Sequence, residues 1–172
     1  MSFLDWLEDI PIVGELLIWG ELVSPENYSD LRAEMFWTEV GDTGQDTRSY
    51  LLGIHSTVPV ELDAEGKIIG GLWTDPHGFT STNPNDFDID HRVPFSQIVR
   101  ENPEIFEHSR AEQLAVYNDR DNLQIVESHH NRYEKGSKTF LEHAKEFKSV
   151  QKGDEFLQAS LEYIEKLKRK IG

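Results

Sequence analysis

The chain has 172 residues, which is enough for one domain with an appended element. It contains no cysteine, so a disulfide framework and a thiolate zinc site are both excluded. Any metal ion must therefore be held by nitrogen and oxygen ligands. The formal net charge is −15 at pH 7, which opposes broad binding to a nucleic-acid backbone.

The acidic excess is concentrated in the first half of the chain. Residues 1–80 contain fifteen Asp or Glu and three Lys or Arg, whereas residues 81–140 contain eleven and seven. Residues 141–172 contain six acidic and seven basic residues. The first half therefore favours a protein partner over nucleic acid, and residues 81–140 are closer to balance.

Residues 1–23 mix apolar residues with acids and are expected to form two short amphipathic helices, broken around Pro11 and Gly14. A helix that covers the core is the simpler interpretation, and a partner-docking or membrane-surface element is the alternative. Five acids interrupt the apolar residues and no basic segment precedes them. Neither a membrane span nor a signal peptide is predicted.

Residues 24–86 are predicted to contain one helix, three strands and two loops. The pattern indicates a helix over 28–40, a loop over 41–46, strands over 48–54, 58–62 and 68–73, and a loop over 75–84. A turn at 63–66 joins the second and third strands.

Two strands and several helices are predicted after residue 86. Strands are expected over 87–93 and 122–127, and helices over 96–100, 109–117, 141–150 and 155–170. Ser128 is suited to cap a helix that begins there, which would place Asn131 in its first turn. The predicted fold class is α+β.

Asp88-Ile89-Asp90-His91-Arg92-Val93-Pro94 contains the residues with the clearest chemistry. Asp90 and His91 are neighbours, so on a strand they point to opposite faces. One can bind a metal ion while the other acts on water, since a carboxylate is a natural Mg²⁺ ligand and a neutral imidazole a natural base. Asn131, further along the chain, offers an amide oxygen as a second ligand.

These segments resemble the HNH (ββα-metal) nuclease motif, of the type found in modification-dependent restriction enzymes and in secreted or toxin bacterial nucleases. The matching residues lie in 73–78, 86–94, 118–123, 131–132 and 135–136. The resemblance implies an HNH nuclease core over 71–140. An acidic N-terminal extension with helices and a β-hairpin would cover 1–70, and C-terminal helices would cover 141–172.

The resemblance also implies roles by position. Asp90 and Asn131 become the metal ligands, His91 the general base, and Asn122 the residue that braces the loop orienting the histidine. One divalent ion is implied, with Mg²⁺ expected and Mn²⁺, Zn²⁺ and Ni²⁺ as alternatives.

Basic residues after Asn131 would contact the substrate. Arg132, Lys135 and Lys138 are the implied phosphate contacts, and Arg132 is counted with His91 and Asn122 among the catalytic residues. The segment from Asn131 to Gly136 is one residue longer than the usual N-R-x-K-G, which leaves open whether Lys135 or Lys138 takes the family role. DNA is the expected substrate and RNA the alternative.

Other histidines are given no part in this chemistry. His129 and His130 suggest a three-histidine zinc site, but His130 precedes Asn131 on a helical turn and is expected to point elsewhere, as a solvated surface histidine. His77 and His108 have no partner in the sequence and receive no role.

The predicted function is a metal-dependent endonuclease that hydrolyses phosphodiester bonds, as an antibacterial toxin or a bacterial defence nuclease. Such a protein would act in the cytoplasm or after secretion or delivery. Asp9-Ile10-Pro11-Ile12-Val13-Gly14-Glu15-Leu16 resembles the pre-toxin segment of bacterial polymorphic toxins, which implies a cognate immunity protein, bound through the acidic half. The alternative is a non-catalytic acidic interaction module on an HNH-like scaffold.

Overall fold

The computed structural model describes residues 27–135 and 138–171, which belong to two compact units. The first unit contains 27–34, 92–109 and 138–171, and the second contains 35–91 and 110–135. The helices predicted over 1–23 and the pre-toxin-like segment lie outside the described residues. Helices and small antiparallel sheets together confirm the α+β class.

The described residues contain α-helices, short antiparallel strands and tighter or wider helical turns. The α-helices are Tyr28–Ala33 (α1), Thr47–His55 (α2), Phe95–Glu101 (α3), Arg110–Tyr117 (α4), Phe140–Ala144 (α5) and Val150–Ile171 (α6). The strands are Glu61–Leu62 (β1), Ile68–Gly70 (β2), Trp73–Thr74 (β3), Thr80–Ser81 (β4), Phe87–His91 (β5) and Leu123–Glu127 (β6). Each strand pairs with its neighbour in the order β1–β2, β3–β4 and β5–β6. Residues Pro84–Asp86, Pro103–Glu107 and Arg120–Asn122 form 3₁₀ helices, and His130–Lys135 form a π-helix.

The first unit is helical, and α6 is its longest element. The apolar residues of α6 recur at helical spacing, so Phe156, Leu157, Tyr163 and Leu167 are all buried. The start of α5 is fixed by a capping box, in which Thr139 and Glu142 satisfy each other's backbone N–H groups. Within residues 27–135 and 138–171, none of the helices combines the length and apolar character that crossing a bilayer requires.

The second unit contains a core formed by one helix and four strands. Its buried apolar residues come from α2, β2, β3, β5 and β6: Leu51, Leu52, Ile68, Trp73, Phe87, Ile89, Leu123 and Ile125. The indole N–H of Trp73 donates to the Leu52 carbonyl at 2.8 Å, so its polar atom is satisfied inside this core.

The strand predicted over 48–54 is wrong, because residues 47–55 form α2. The Asp46 side chain accepts from the Ser49 N–H at 2.7 Å and caps the helix. Arg48 then donates to the carbonyls of Pro84 and Phe87. The cap and these long-range bonds outweigh the strand propensity of the segment.

The helix predicted over 28–40 ends at Ala33 as α1. Beyond it, the Thr38 N–H donates to the Asn118 side chain at 3.0 Å, and the Thr38 carbonyl accepts from the Thr47 N–H at 2.8 Å. These bonds replace the helical ones. The turn predicted at 63–66 is confirmed, since Asp63 accepts from the backbone of Glu65 and Lys67 and joins β1 to β2.

Two glycines provide a test of this packing. A Cβ built on Gly71 would lie 2.5 Å from a Trp73 ring carbon and 2.9 Å from the Ser56 hydroxyl oxygen, whereas one on Gly53 in α2 meets nothing within 4 Å. We expect Gly71→Ala to lower the free energy of unfolding by about 1–3 kcal/mol through overpacking. Gly53→Ala should raise it by roughly 0.5–1 kcal/mol. Urea unfolding followed by tryptophan fluorescence measures both, and equal shifts of the two variants would contradict the packing.

Candidate functional site

The antiparallel pair formed by β5 and β6 separates an apolar face from a polar one. Phe87 and Ile89 belong to the core, and side chains alternate along a strand. Asp88 and Asp90 therefore lie together on the opposite face, where the register places Asp90 opposite Gln124. The two predicted strands are confirmed as Phe87–His91 and Leu123–Glu127.

The Asp88 carboxylate collects four hydrogen bonds from the helical turn that follows β6. Its Oδ1 accepts from the Ser128 hydroxyl at 3.1 Å and from Arg132 Nη2 at 2.8 Å. Its Oδ2 accepts from Asn131 Nδ2 at 3.2 Å and from Arg132 Nε at 2.9 Å. The Ser128 side chain therefore binds β5 instead of acting as the predicted helix cap. Asp88 fastens the start of the helix to the strand.

These contacts set the charge state of the Asp88–Arg132 pair. Burial alone would raise the pKa of the Asp88 carboxyl, but hydrogen bonds from Arg132, Asn131 and Ser128 bring that pKa below its ordinary value. The Asp88 carboxylate in turn raises the pKa of the Arg132 guanidinium. Asp88 is thus ionised at neutral pH and is a positioning residue. The sequence contains the signal for it, since Asp88 stands two residues before Asp90 on the same strand.

The Asp88 contacts orient both partners on the helix. Because Asn131 donates from Nδ2, its amide oxygen is the atom that can bind a cation. Arg132 uses Nε and one N–H of Nη2 on the carboxylate, so its remaining N–H groups are held in a fixed plane. The Arg132 side chain is 63% exposed, and this guanidinium edge is accessible to an anion.

Asp90 is the next carboxylate along the polar face. It is buried, and its Oδ2 accepts from the side-chain amide of Gln124, on the paired strand β6, at 3.3 Å. The structure thus brings Asn131 and Arg132 onto Asp88, and it places Asp90 two residues further along the same strand face.

His91 ends β5 in a buried aromatic environment. Its Nε2 lies 2.8 Å from the Tyr117 carbonyl oxygen, and a carbonyl can only accept, so Nε2 bears the hydrogen and Nδ1 is the basic nitrogen. The His91 ring stacks on Trp37 at 5.9 Å and contacts the Tyr117 ring at 4.6 Å. One tautomer and one ring orientation are thereby favoured.

Asn118 and Trp37 support the histidine, and neither of them was assigned a role from the sequence. The Asn118 side chain accepts from the Thr38 N–H and donates to the Phe36 carbonyl, both at 3.0 Å. It is therefore hydrogen-bonded to the backbone on both sides of Trp37. These contacts join residues about eighty positions apart, and no local pattern indicates them.

Asn122 immediately precedes β6, at the end of the strand pair that carries His91. It is fully buried, ends the 3₁₀ helix Arg120–Asn122 and donates its N–H to the Asp119 carbonyl at 2.9 Å. The next residue, Leu123, pairs with His91. The role of Asn122 as a brace for the histidine loop stays a prediction.

The two candidate lysines belong to different units. Lys135 is the last residue of the π-helix. Lys138 belongs to the first unit, where it forms an ion pair with Glu146. Phosphate contact by either lysine stays a prediction.

His130 is not the solvated surface residue that was expected. It is 8% exposed, and its ring centroid lies 4.1 Å from that of His77. Ligand nitrogens of the two rings lie within 4.8 Å of each other, so the pair could bind a metal ion. His129, the residue before His130, is exposed. His77 was given no role because its partner is distant in sequence.

The lowered pKa of Asp88 predicts a defined acid dependence of stability. Folding lowers this pKa, so the contribution of Asp88 is fully present above its unfolded value of about 3.9 and is lost as the pH falls through the lower folded value. We expect Asp88→Asn to reduce the melting temperature modestly at neutral pH, and the difference from wild type to vanish in that acid window. Thermal unfolding between neutral and strongly acidic pH measures it. Asp42→Asn, in an exposed turn, is the control, and an equal loss there would contradict the assignment.

Comparison with known proteins finds no match for this chain among family models, curated proteins or solved structures.

Proposed function

We propose that the chain is a metal-dependent HNH endonuclease that hydrolyses phosphodiester bonds of DNA. The main support is the antiparallel pair of β5 and β6 with the helical turn that follows β6. This arrangement presents Asp90 and His91 at the end of one strand and Asn131 one turn into the helix. The residues occur in the order that the HNH resemblance implies.

The available oxygen donors fit a hard divalent cation. Asp90 offers a carboxylate and Asn131 an amide oxygen, while Asp88 uses both of its oxygens to hold the helix. Two such ligands leave several positions for water and phosphate, as Mg²⁺ prefers. Bound by Asp90 and Asn131, the ion would stabilise negative charge on the phosphate and the leaving oxygen. Mn²⁺, Zn²⁺ and Ni²⁺ are the alternative ions.

His91 is suited to accept the proton of the attacking water. The Tyr117 carbonyl holds the Nε2 hydrogen, so a proton taken up arrives at Nδ1. The resulting positive charge strengthens the bond to the carbonyl and is favoured by the face of Trp37. The imidazolium would therefore be stabilised by groups already in place.

Arg132 supplies a positive group for the substrate backbone. Its guanidinium is fixed by Asp88 and remains largely exposed, which suits charge-assisted hydrogen bonds to phosphate oxygens. The net charge of the whole chain is −15, which opposes an extended nucleic-acid contact. We therefore expect a short contact around β5, β6 and Arg132.

The biological setting proposed is an antibacterial toxin or a bacterial defence nuclease, with an immunity or partner protein bound through the acidic N-terminal half. RNA is the alternative substrate. The second candidate, a non-catalytic acidic module, is favoured only by the net charge. It gives no reason for a fixed histidine tautomer on the strand that carries Asp88 and Asp90.

The nuclease proposal predicts metal-dependent cleavage that requires His91. We expect purified protein to nick supercoiled plasmid in Mg²⁺ or Mn²⁺ and to be inactive in EDTA. His91→Ala should lower the cleavage rate by about a hundred- to ten-thousandfold, because it removes the general base. Plasmid conversion on agarose gels measures the rate, and circular dichroism checks the fold.

The matched control is His55→Ala, which removes an exposed histidine at the end of α2 and should leave cleavage unchanged. Inertness of folded wild-type protein on DNA and RNA with every one of these ions would overturn the proposal. Equal activity of wild type and His91→Ala would do the same.

Arg132→Lys separates substrate binding from the chemical step. Lysine cannot make the two-pronged contact with Asp88, so the positive group loses its fixed direction. We expect weaker binding of oligonucleotide, with a shallower dependence on salt because a phosphate contact is lost, and a smaller effect on the rate at saturating substrate. Fluorescence anisotropy and single-turnover cleavage measure the two effects. Unchanged binding would show that Arg132 does not contact phosphate.

A further inference from the structure

His77 and His130 form a cluster of nitrogen ligands apart from the groups assigned to phosphodiester cleavage. Their ring centroids are 4.1 Å apart and their planes are inclined by 38°. Ligand nitrogens of the two rings lie within 4.8 Å of each other. A metal ion at about 2.0–2.1 Å from each of two imidazoles requires a separation of about 3.4 Å in tetrahedral geometry. Both separations are of the same order, and His77 is the more exposed of the two rings.

The backbone that carries both histidines is held in place by Asp75. This residue is 2% exposed, and its Oδ1 accepts from the Phe79 N–H at 2.8 Å, which closes the turn containing His77. Its Oδ2 accepts from the Glu127 N–H at 3.1 Å, three residues before His130. One buried carboxylate therefore ties the His77 turn to the end of β6, and the backbone that carries the two rings is positioned before any ion binds.

We infer that His77 and His130 form a second metal site, which takes a divalent transition ion of the Zn²⁺ or Ni²⁺ type. Imidazole nitrogens suit these ions, whereas Mg²⁺ prefers oxygen ligands. Water or a further side chain would complete the coordination. The site is chemically distinct from the oxygen donors of Asp90 and Asn131, so each is expected to select a different ion.

Such an ion would act as a brace for the helix. His130 stands immediately before Asn131 and Arg132, which contact Asp88. A metal that joins His130 to the 75–79 turn therefore restrains the π-helix through a second attachment, independent of the Asp88 carboxylate. Binding to the folded state alone raises its stability by mass action.

The test is Zn²⁺ binding to the full chain, measured by calorimetry at neutral pH and by thermal unfolding. We expect one Zn²⁺ per chain at this site, and a melting temperature that rises by roughly 5–10 °C at a hundredfold excess over the Kd. His77→Gln and His130→Gln should each weaken binding by roughly tenfold or more. His77→Gln alters a half-exposed turn, so it remains informative where the buried His130→Gln fails to fold.

Two controls define the site. His129→Gln changes an exposed histidine beside His130, and Asp90→Asn changes the oxygen site; both should keep the Zn²⁺ that His77 and His130 hold. Absence of Zn²⁺ binding by wild type would overturn the inference. Binding that is unaffected by His77→Gln, or that is lost in Asp90→Asn, would overturn it as well. None of these outcomes depends on nuclease activity, so the two proposals can fail separately.

Discussion

The hydrogen bonds between the Asp88 carboxylate and the turn after β6 are the interaction on which the candidate active site depends. Without them Asn131 and Arg132 would be two polar residues on a short helical turn with no fixed direction. With them, both Asp88 oxygens are occupied and the carboxylate is ionised. The amide oxygen of Asn131 is thereby the atom left to bind a cation, and the Arg132 guanidinium is held by the same carboxylate. Asp88 acts through its partners, because both of its carboxylate oxygens already accept hydrogen bonds from them.

The histidine is oriented by a separate set of groups. The Tyr117 carbonyl selects the tautomer of His91, and the Trp37 ring covers one face of it. Trp37 is held in turn by Asn118, whose side chain bonds to the backbone on both sides of it. Two independent supports, one on each face of β5, therefore serve the metal-binding and proton-accepting functions proposed for the site. A strand can separate these functions because adjacent residues project to opposite faces.

The sequence predicted the elements whose evidence is local, and it failed where distant contacts decide. The strands around Asp90 and Leu123 follow from their apolar alternation, and both are confirmed. Residues 47–55 show mixed propensity, and the Asp46 cap together with the bonds from Arg48 decides in favour of a helix. No local sequence pattern indicates the hydrogen bond between the Thr38 N–H and the Asn118 side chain. Asp88 could have been found, because alternation places it beside Asp90.

For His130, the sequence predicted the direction of the side chain correctly and its exposure to solvent wrongly. The sequence indicated that it points away from the Asn131 site, and its ring does lie against His77 while Asn131 faces Asp88. Ser128, Asn131 and Arg132 share one helical face at spacings of three and four, and His130 falls outside it. Residues on that other face need their own burial partner, here a turn tied to β6 by Asp75. The amide of Asn131 and the imidazole of His130 thus occupy neighbouring positions of one π-helix and have different partners.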